Sequence, residues 1–180
     1  MRHPPVPVVF VAVLTIAIGA TAGAVMSQLR PATEAFARTR IEVNRQAHGL
    51  TGSREYDDEV IARAVFTAEA GLSFLHTHAE GLGPLVLLGA TLTASLVPGR
   101  RLRGLLHTLF AVGALFPLGY LVYGLAILER GRDGGVALAE QWILTPLGGA
   151  AIAALVLLLV ALARARTSRT DDRDPAPGRA

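Results

Sequence analysis

Long apolar runs alternate with short charged segments along this chain. The first run covers residues 6 to 26, and about 21 helical residues at 1.5 Å each are enough to cross a bilayer core of about 30 Å. A second run ends near Val97, and two more cover residues 105 to 128 and 141 to 163. Four such runs predict an all-α membrane protein, a four-transmembrane-helix bundle.

The polar segment after the first run predicts a short helical extension outside the membrane. Pro31 favours the first turn of a helix, and residues 48 to 53 form a break rich in glycine and small polar residues. Ser53 and the acidic residues behind it are typical of a helix start, and we expect that helix to run from about residue 55 to Val97. The predicted division is a first span (1–29), an extracytoplasmic helical segment (30–66), a three-helix transmembrane region (67–164) and a disordered cytoplasmic tail (165–180).

The first apolar run has a competing interpretation as a cleaved signal peptide. Residues 20 to 24 are small and include two candidate cleavage sites. The length of the run favours a span that is retained. Gly19 and Gly23 form a GxxxG pattern within it, which is either a face for close packing against another helix or the ordinary glycine content of a membrane helix.

Composition and charge set the class of protein and its orientation. Of the 180 residues, 52% are hydrophobic and 17% charged, which is more apolar than a soluble domain needs. The N-terminus, the turn at 98 to 103 and the tail together carry nine arginines and three acids, whereas the segments on the other side carry eight arginines and eleven acids. The positive-inside rule then places both termini in the cytoplasm, in a bacterial inner (plasma) membrane. The absence of cysteine excludes iron–sulfur clusters and covalent c-type haem, and scattered arginines give no nucleic-acid surface.

Ionisable side chains at the mouth of the second apolar run mark the candidate site. Glu69, His76 and Glu80 are spaced by seven and four residues, which places them on one helix face, whereas His78 points to another side. Such groups at membrane depth are costly and usually face a bundle interior or a polar cavity. The spacing therefore predicts a site near the extracytoplasmic face.

Imidazole and carboxylate groups suit haem iron and transition metals, so we expect haem b or a transition metal as cofactor. Because His76 and His78 point to different sides, one haem iron can take only one of them, and its second ligand must come from another span. The candidate cofactor-binding residues are His76, His78, Gly81 and Gly83; the candidate metal ligands are His76, His78, Glu80 and Glu69; the candidate supporting residues are Tyr123, Glu140, Gln141 and Trp142.

The segment F-L-H-T-H-A-E-G-L-G, placed between a polar segment and an arginine turn, resembles uncharacterised four-span bacterial inner-membrane proteins. Those proteins carry an H-x-H motif that opens the second span and is followed by glycines. The resemblance rests on His76, His78, Gly81 and Gly83. It implies the four-span architecture and no settled activity; the motif is also loosely similar to histidine motifs of membrane haem and copper proteins.

The predicted function is to hold haem or a metal for electron transfer, or as an accessory subunit of a redox complex. A structural or assembly subunit without cofactor is one open alternative. A small proton-coupled transporter is another, with Glu69, His76 and Glu80 as a relay joined by a cavity. The chain has no Walker loop, G-x-S-x-G, H-E-x-x-H or dinucleotide fingerprint, so an enzymatic activity stays undecided. The expected partners are the lipid bilayer and a redox or membrane complex, with a homo-oligomer left open.

Overall fold

The computed structural model describes residues 3 to 171, with side chains through residue 165. Helices make up nearly all of this part of the chain, and no strand occurs in it. The α-helices are α1 (Val6–Gln28), α2 (Arg30–Val43), α3 (Arg54–Leu96), α4 (Arg100–Gly113), α5 (Gly119–Ala139) and α6 (Thr145–Asp171), with a 3-10 turn at Phe116–Leu118 and a π turn at Glu140–Leu144. The predicted all-α fold class is confirmed.

Three helical stretches are long and apolar enough to cross a membrane. They are Val6–Gln28, Arg54–Leu96 and the run Arg100–Ala165. The chain therefore has the helices of a membrane protein, as its composition predicts. The third stretch is 66 residues long, which is about three times the roughly 20 residues that one crossing needs.

The third stretch folds back on itself at Gly131. This glycine has φ 75° and ψ 167°, a conformation that residues with a Cβ rarely adopt. A Cβ at Gly135 would overlap the backbone of Ile127, and one at Gly113 would lie 2.7 Å from the Cα of Ala151. The arms on the two sides of Gly131 therefore run antiparallel in close contact.

A break separates α4 from α5, and a hydroxyl group of α1 donates a hydrogen bond to the carbonyl group that the break leaves without a helical partner. Pro117 has no N–H and cannot continue the helical hydrogen-bond ladder, and Leu118 N donates to Leu115 O in a 3-10 turn. This leaves the carbonyl of Ala114 without its helical partner. The buried hydroxyl of Thr15 donates to Ala114 O at 2.9 Å, so α1 stabilises the break.

Glycines bring α1 and α3 into close contact. A methyl group on Gly19 would overlap the Cβ of Ala79, and one on Gly23 would lie 2.8 Å from the ring of His76. The GxxxG face predicted in α1 thus packs on α3 within the same chain. Gly19 of α1 meets Ala79 of α3, and the two helices are antiparallel. Glu69, ten residues before Ala79 on α3, is therefore level with the end of α1.

Two apolar cores lie at opposite ends of the helices. The first joins α1, α4, α6 and the C-terminal half of α3. It contains Val8, Ala12, Val86, Ala90, Val97, Leu106, Phe110, Ala114, Ala154 and Leu158. The second joins α2, α5 and the N-terminal half of α3. It contains Ala37, Ile41, Ile61, Ala64, Val65, Ala68, Ile127 and Leu128. We call the second end, with residues 44 to 53, the headpiece. Apolar burial therefore holds α2 against α3 and α5.

A buried carboxylate organises the loop of the headpiece. Asp57 accepts hydrogen bonds from the backbone N–H groups of Thr51 at 2.8 Å and Gly52 at 3.0 Å, and Arg45 pairs with it at 3.3 Å. Burial raises the pKa of Asp57, but the two N–H donors and the Arg45 charge together lower it below its ordinary value. The loop before α3 is therefore tied to an ionised Asp57.

The last helix is longer than the sequence indicates. The sequence predicts a disordered tail from residue 165, whereas α6 continues to Asp171. Since arginine is a good helix former, the apolar helix can extend into a polar segment. The remainder of the predicted tail, residues 172 to 180, lies outside the described residues.

Candidate functional site

Glu69 is the carboxylate of the predicted stripe that the fold encloses. Its Oε1 atom is buried and has no hydrogen-bond partner. Its Oε2 atom lies 3.9 Å from a guanidinium nitrogen of Arg30, and 27% of the side chain is exposed. Two other buried side-chain atoms of the described residues are unpaired, Thr93 Oγ1 and His107 Nδ1. Of these three unpaired atoms, only Glu69 Oε1 belongs to an acidic group. Burying a carboxylate oxygen without a partner costs more free energy than burying an unpaired hydroxyl or a neutral ring nitrogen.

Two cavities meet at Glu69. The first, of about 220 Å³, lies between α2, α3 and α5 and the end of α1. The second, of about 500 Å³, lies on the other side, where Arg30, Phe66 and Phe74 contribute to its wall. Thr33, Glu69 and Leu72 line both cavities. These three side chains therefore form the partition between them.

The lining of the first cavity is almost entirely apolar. Apart from Glu69, its polar groups are the hydroxyls of Thr33 and Tyr120, and the Thr33 hydroxyl already donates to the carbonyl of Arg30 at 2.9 Å. The other lining residues are Val25, Phe36, Ala37, Ala68, Leu72, Leu121, Gly124, Leu125 and Leu128. An apolar wall with one or two convergent polar groups is typical of small-molecule sites.

His76 connects α3 to α1. Its Nδ1 lies 3.1 Å from the carbonyl oxygen of Gly19 and 3.4 Å from Oε1 of Glu80. Both oxygens are acceptors, so Nδ1 carries the proton in the neutral ring and Nε2 keeps its lone pair. The ring packs over Gly23, where a side chain would collide with it. His76 and Glu80 therefore lie on one face of α3, as their spacing of four residues predicts.

His78 lies on another side of α3, as its spacing from His76 predicts. Its Nδ1 is 2.8 Å from the carbonyl oxygen of Phe74, which again assigns the proton to Nδ1. Its ring centroid lies 4.9 Å from that of Tyr120 and 5.6 Å from that of Phe116. His78 thus belongs to an aromatic cluster on the α5 side, whereas His76 packs on α1.

The other predicted residues are dispersed around this region. Gly83 packs against Ile16 of α1, whereas a Cβ on Gly81 would meet open space. Tyr123 packs beside the headpiece core and contacts the ring of Tyr120. Three others, Glu140, Gln141 and Trp142, lie in the exposed π turn, and Trp142 is 71% exposed.

No group of three or more His, Cys, Asp or Glu side chains that could hold a metal ion occurs among the described residues. The four predicted metal ligands therefore do not form one coordination sphere by themselves. The two cavities, in contrast, could not be found in the sequence, because their walls come from four helices. The only indication of this site in the sequence was Glu69 itself, an acidic residue near the start of an apolar run.

Comparison with known proteins identifies no relative of this chain. No family model matches the chain, and no curated protein or solved structure matches it either. The fold and the site define the class as an all-helical protein with helices long and apolar enough to cross a membrane and with an acidic group between two cavities.

Proposed function

We propose that this chain is a four-span inner-membrane protein that binds an apolar molecule through a hydroxyl group hydrogen-bonded to Glu69. The reversal at Gly131 divides the run Arg100–Ala165 into two arms, each long enough for a crossing. Together with the positive net charge on the side of the termini and the negative net charge on the other side, this supports cytoplasmic termini and an extracytoplasmic headpiece.

The observation that carries the proposal is the unpaired buried oxygen of Glu69. A buried polar atom without a partner costs about 1–3 kcal/mol, and more when the group is charged. A ligand that donates a hydrogen bond to Oε1 removes this cost. The two cavities that meet at Glu69 supply the space for such a ligand beside the carboxylate.

The surroundings of the carboxylate select the chemistry of the ligand. Arg30 lies 3.9 Å from Oε2 and already supplies a positive charge, so an uncharged donor suits Oε1 better than a second cation. The apolar walls favour a hydrocarbon body. Glu69 is level with the end of α1, where a membrane-dissolved molecule presents its polar head. A long-chain alcohol, a diacylglycerol or a quinol has this chemistry.

Decan-1-ol and decane test the proposal, because they differ only in the hydroxyl. The thermal midpoint of the purified protein in dodecylmaltoside is measured with each compound at equal mole fraction in the micelles. A ligand that binds the folded state raises the midpoint. A hydrogen bond to a charged acceptor is worth about 1.5–3 kcal/mol, which is roughly a 10- to 150-fold difference in affinity between the two compounds.

Glu69→Leu removes the acceptor, and decan-1-ol should then stabilise the protein no more than decane does. Glu55→Leu is the matched control, since Glu55 is an exposed acid of the same helix, far from both cavities. It should keep the wild-type difference. Equal effects of the two compounds on the wild type would refute the proposal.

A second candidate is the predicted haem or metal protein, and the tautomers of the histidines favour it. In both rings Nδ1 donates to a backbone carbonyl, which leaves Nε2 free to bind a metal. Protein histidines that bind metals are commonly oriented in this way. The two rings contact different helices, so we propose attachment through one histidine, either His76 or His78, and not a shared site.

The optical spectrum of the reduced protein and its metal content test this second candidate. A Soret band or a stoichiometric metal that is lost in His76→Ala or His78→Ala would support it, and their absence from the wild type would remove it. The transporter alternative has less support, because neither cavity at Glu69 is lined by His76 or Glu80. If the alcohol and the spectrum both give negative results, a structural subunit remains.

A further inference from the structure

A second cavity system lies in the headpiece, away from Glu69. It has a volume of about 360 Å³ and is bounded by the loop before α3, the first turns of α3 and the reversal at Gly131. Its charged and polar lining residues come from three separate segments. The loop before α3 contributes His48, α3 contributes Tyr56 and Arg63, and the reversal contributes Arg130, Arg132 and Asp133. In contrast to the cavities at Glu69, its wall is rich in hydrogen-bond donors.

Positive charge predominates in this cavity. Arg63 pairs with Glu59 on the same helix, whereas neither Arg130 nor Arg132 has an ion-pair partner among the described residues. The one acid in the lining is Asp133. Two guanidinium groups are therefore available to an anion that enters the cavity.

The fold brings these groups together for structural reasons. Gly131 adopts φ 75°, and a Cβ there would overlap the carbonyl oxygen of Ala47. The reversal thus lies directly on the headpiece loop, and Nε2 of His48 is 3.1 Å from the carbonyl oxygen of Leu128. Arg130 and Arg132 flank the glycine, so this contact fixes their backbone beside α3.

We propose that the headpiece cavity, lined by Arg63, Arg130 and Arg132, binds a phosphate group. Guanidinium groups bind phosphate through two parallel N–H···O bonds. Arg63 lies six residues before Glu69 on α3, about 9 Å further from the bilayer centre at 1.5 Å per residue. This is the depth of lipid headgroups, so the phosphate can belong to an anionic lipid or to a soluble phosphate ester.

Titration calorimetry distinguishes the two sources. The purified protein in a neutral detergent at 0.15 M NaCl is titrated with glycerol 3-phosphate, and a saturable heat assigns the site to a soluble ester. If no heat appears, dioleoyl phosphatidic acid is titrated in the same detergent against dioleoyl phosphatidylcholine. Preferential binding of phosphatidic acid assigns the site to a lipid headgroup. Absence of saturable binding of both phosphates refutes the proposal.

Arg130→Gln/Arg132→Gln removes two donors and should weaken phosphate binding at least tenfold. The matched control is Arg100→Gln/Arg101→Gln, which removes the same charge from the opposite end of the bundle. The control should bind as the wild type does. An equal loss in both variants would mean unspecific electrostatic attraction and would contradict the site. This proposal does not depend on ligand binding at Glu69, because the two sites share no lining residue.

Discussion

Replacing Gly19 by alanine tests the contact that joins α1 to α3. The new methyl group would overlap the Cβ of Ala79 and lie 3.5 Å from the carbonyl oxygen of His76. A Cβ cannot rotate away, since it is bonded directly to the backbone. The whole of α1 must therefore move away from α3, which loosens the hydrogen bond between His76 Nδ1 and Gly19 O.

The expected cost follows from two opposing effects. Overpacking a tight contact costs about 1–3 kcal/mol, and the better helix propensity of alanine returns up to about 1 kcal/mol. Because the two Cβ atoms would overlap, the overpacking cost should lie in the upper part of its range, and we expect Gly19→Ala to destabilise the protein by about 1–2 kcal/mol in total. Gly81→Ala is the control on the neighbouring helix, because no heavy atom lies within 4 Å of a Cβ there; it should be neutral or slightly stabilising.

A reciprocal substitution makes the test specific. Ala79→Gly removes the methyl group that Gly19→Ala would meet, so the double variant should be more stable than the sum of the two single effects. Stability is measured by thermal unfolding in dodecylmaltoside, followed by circular dichroism. If Gly19→Ala is neutral, or if Ala79→Gly does not offset it, the described α1–α3 contact is wrong.

Three further substitutions test other parts of the fold by the same unfolding measurement. Thr15→Val leaves the buried carbonyl of Ala114 without a donor and should cost about 1–3 kcal/mol; no loss would mean that the break is satisfied otherwise. Asp57 has a lowered pKa, so its stabilising effect is complete above about pH 4 and is lost as pH falls through that lowered value. The advantage of the wild type over Asp57→Asn should therefore shrink in acid, and a constant difference would contradict this. Gly131→Ala forces a Cβ into φ 75° and should cost at least about 1–2 kcal/mol, whereas Gly134→Ala, with negative φ, should cost nothing; equal effects would exclude a strained reversal.

Much of the helical framework could be predicted from the sequence. The apolar runs and the cap region at Ser53 indicate a helix from about residue 55 to Val97, and α3 occupies Arg54–Leu96. The GxxxG pattern in α1 indicates close packing, and Gly19 and Gly23 do contact α3. These features are local, because helix length and the small residues on one face are set by consecutive residues.

The site was harder to predict because it depends on contacts between distant segments. Helical spacing places Glu69 and His76 on one face, but it does not say what packs on that face. In the fold, the ring of His76 packs against α1, whereas residues of α2 and α5 line the cavity beside Glu69. The position of Arg30 beside Glu69 depends on the turn between α1 and α2. Periodicity within one helix contains no information about such partners.

The most direct test of ligand binding at Glu69 is an experimental structure of the protein purified in native lipid nanodiscs. We expect elongated density in a cavity beside Glu69, with an oxygen of that molecule within about 3 Å of Oε1, the distance of a charge-assisted hydrogen bond. Finding Oε1 paired with a protein side chain, or both cavities filled only by water, would contradict the account.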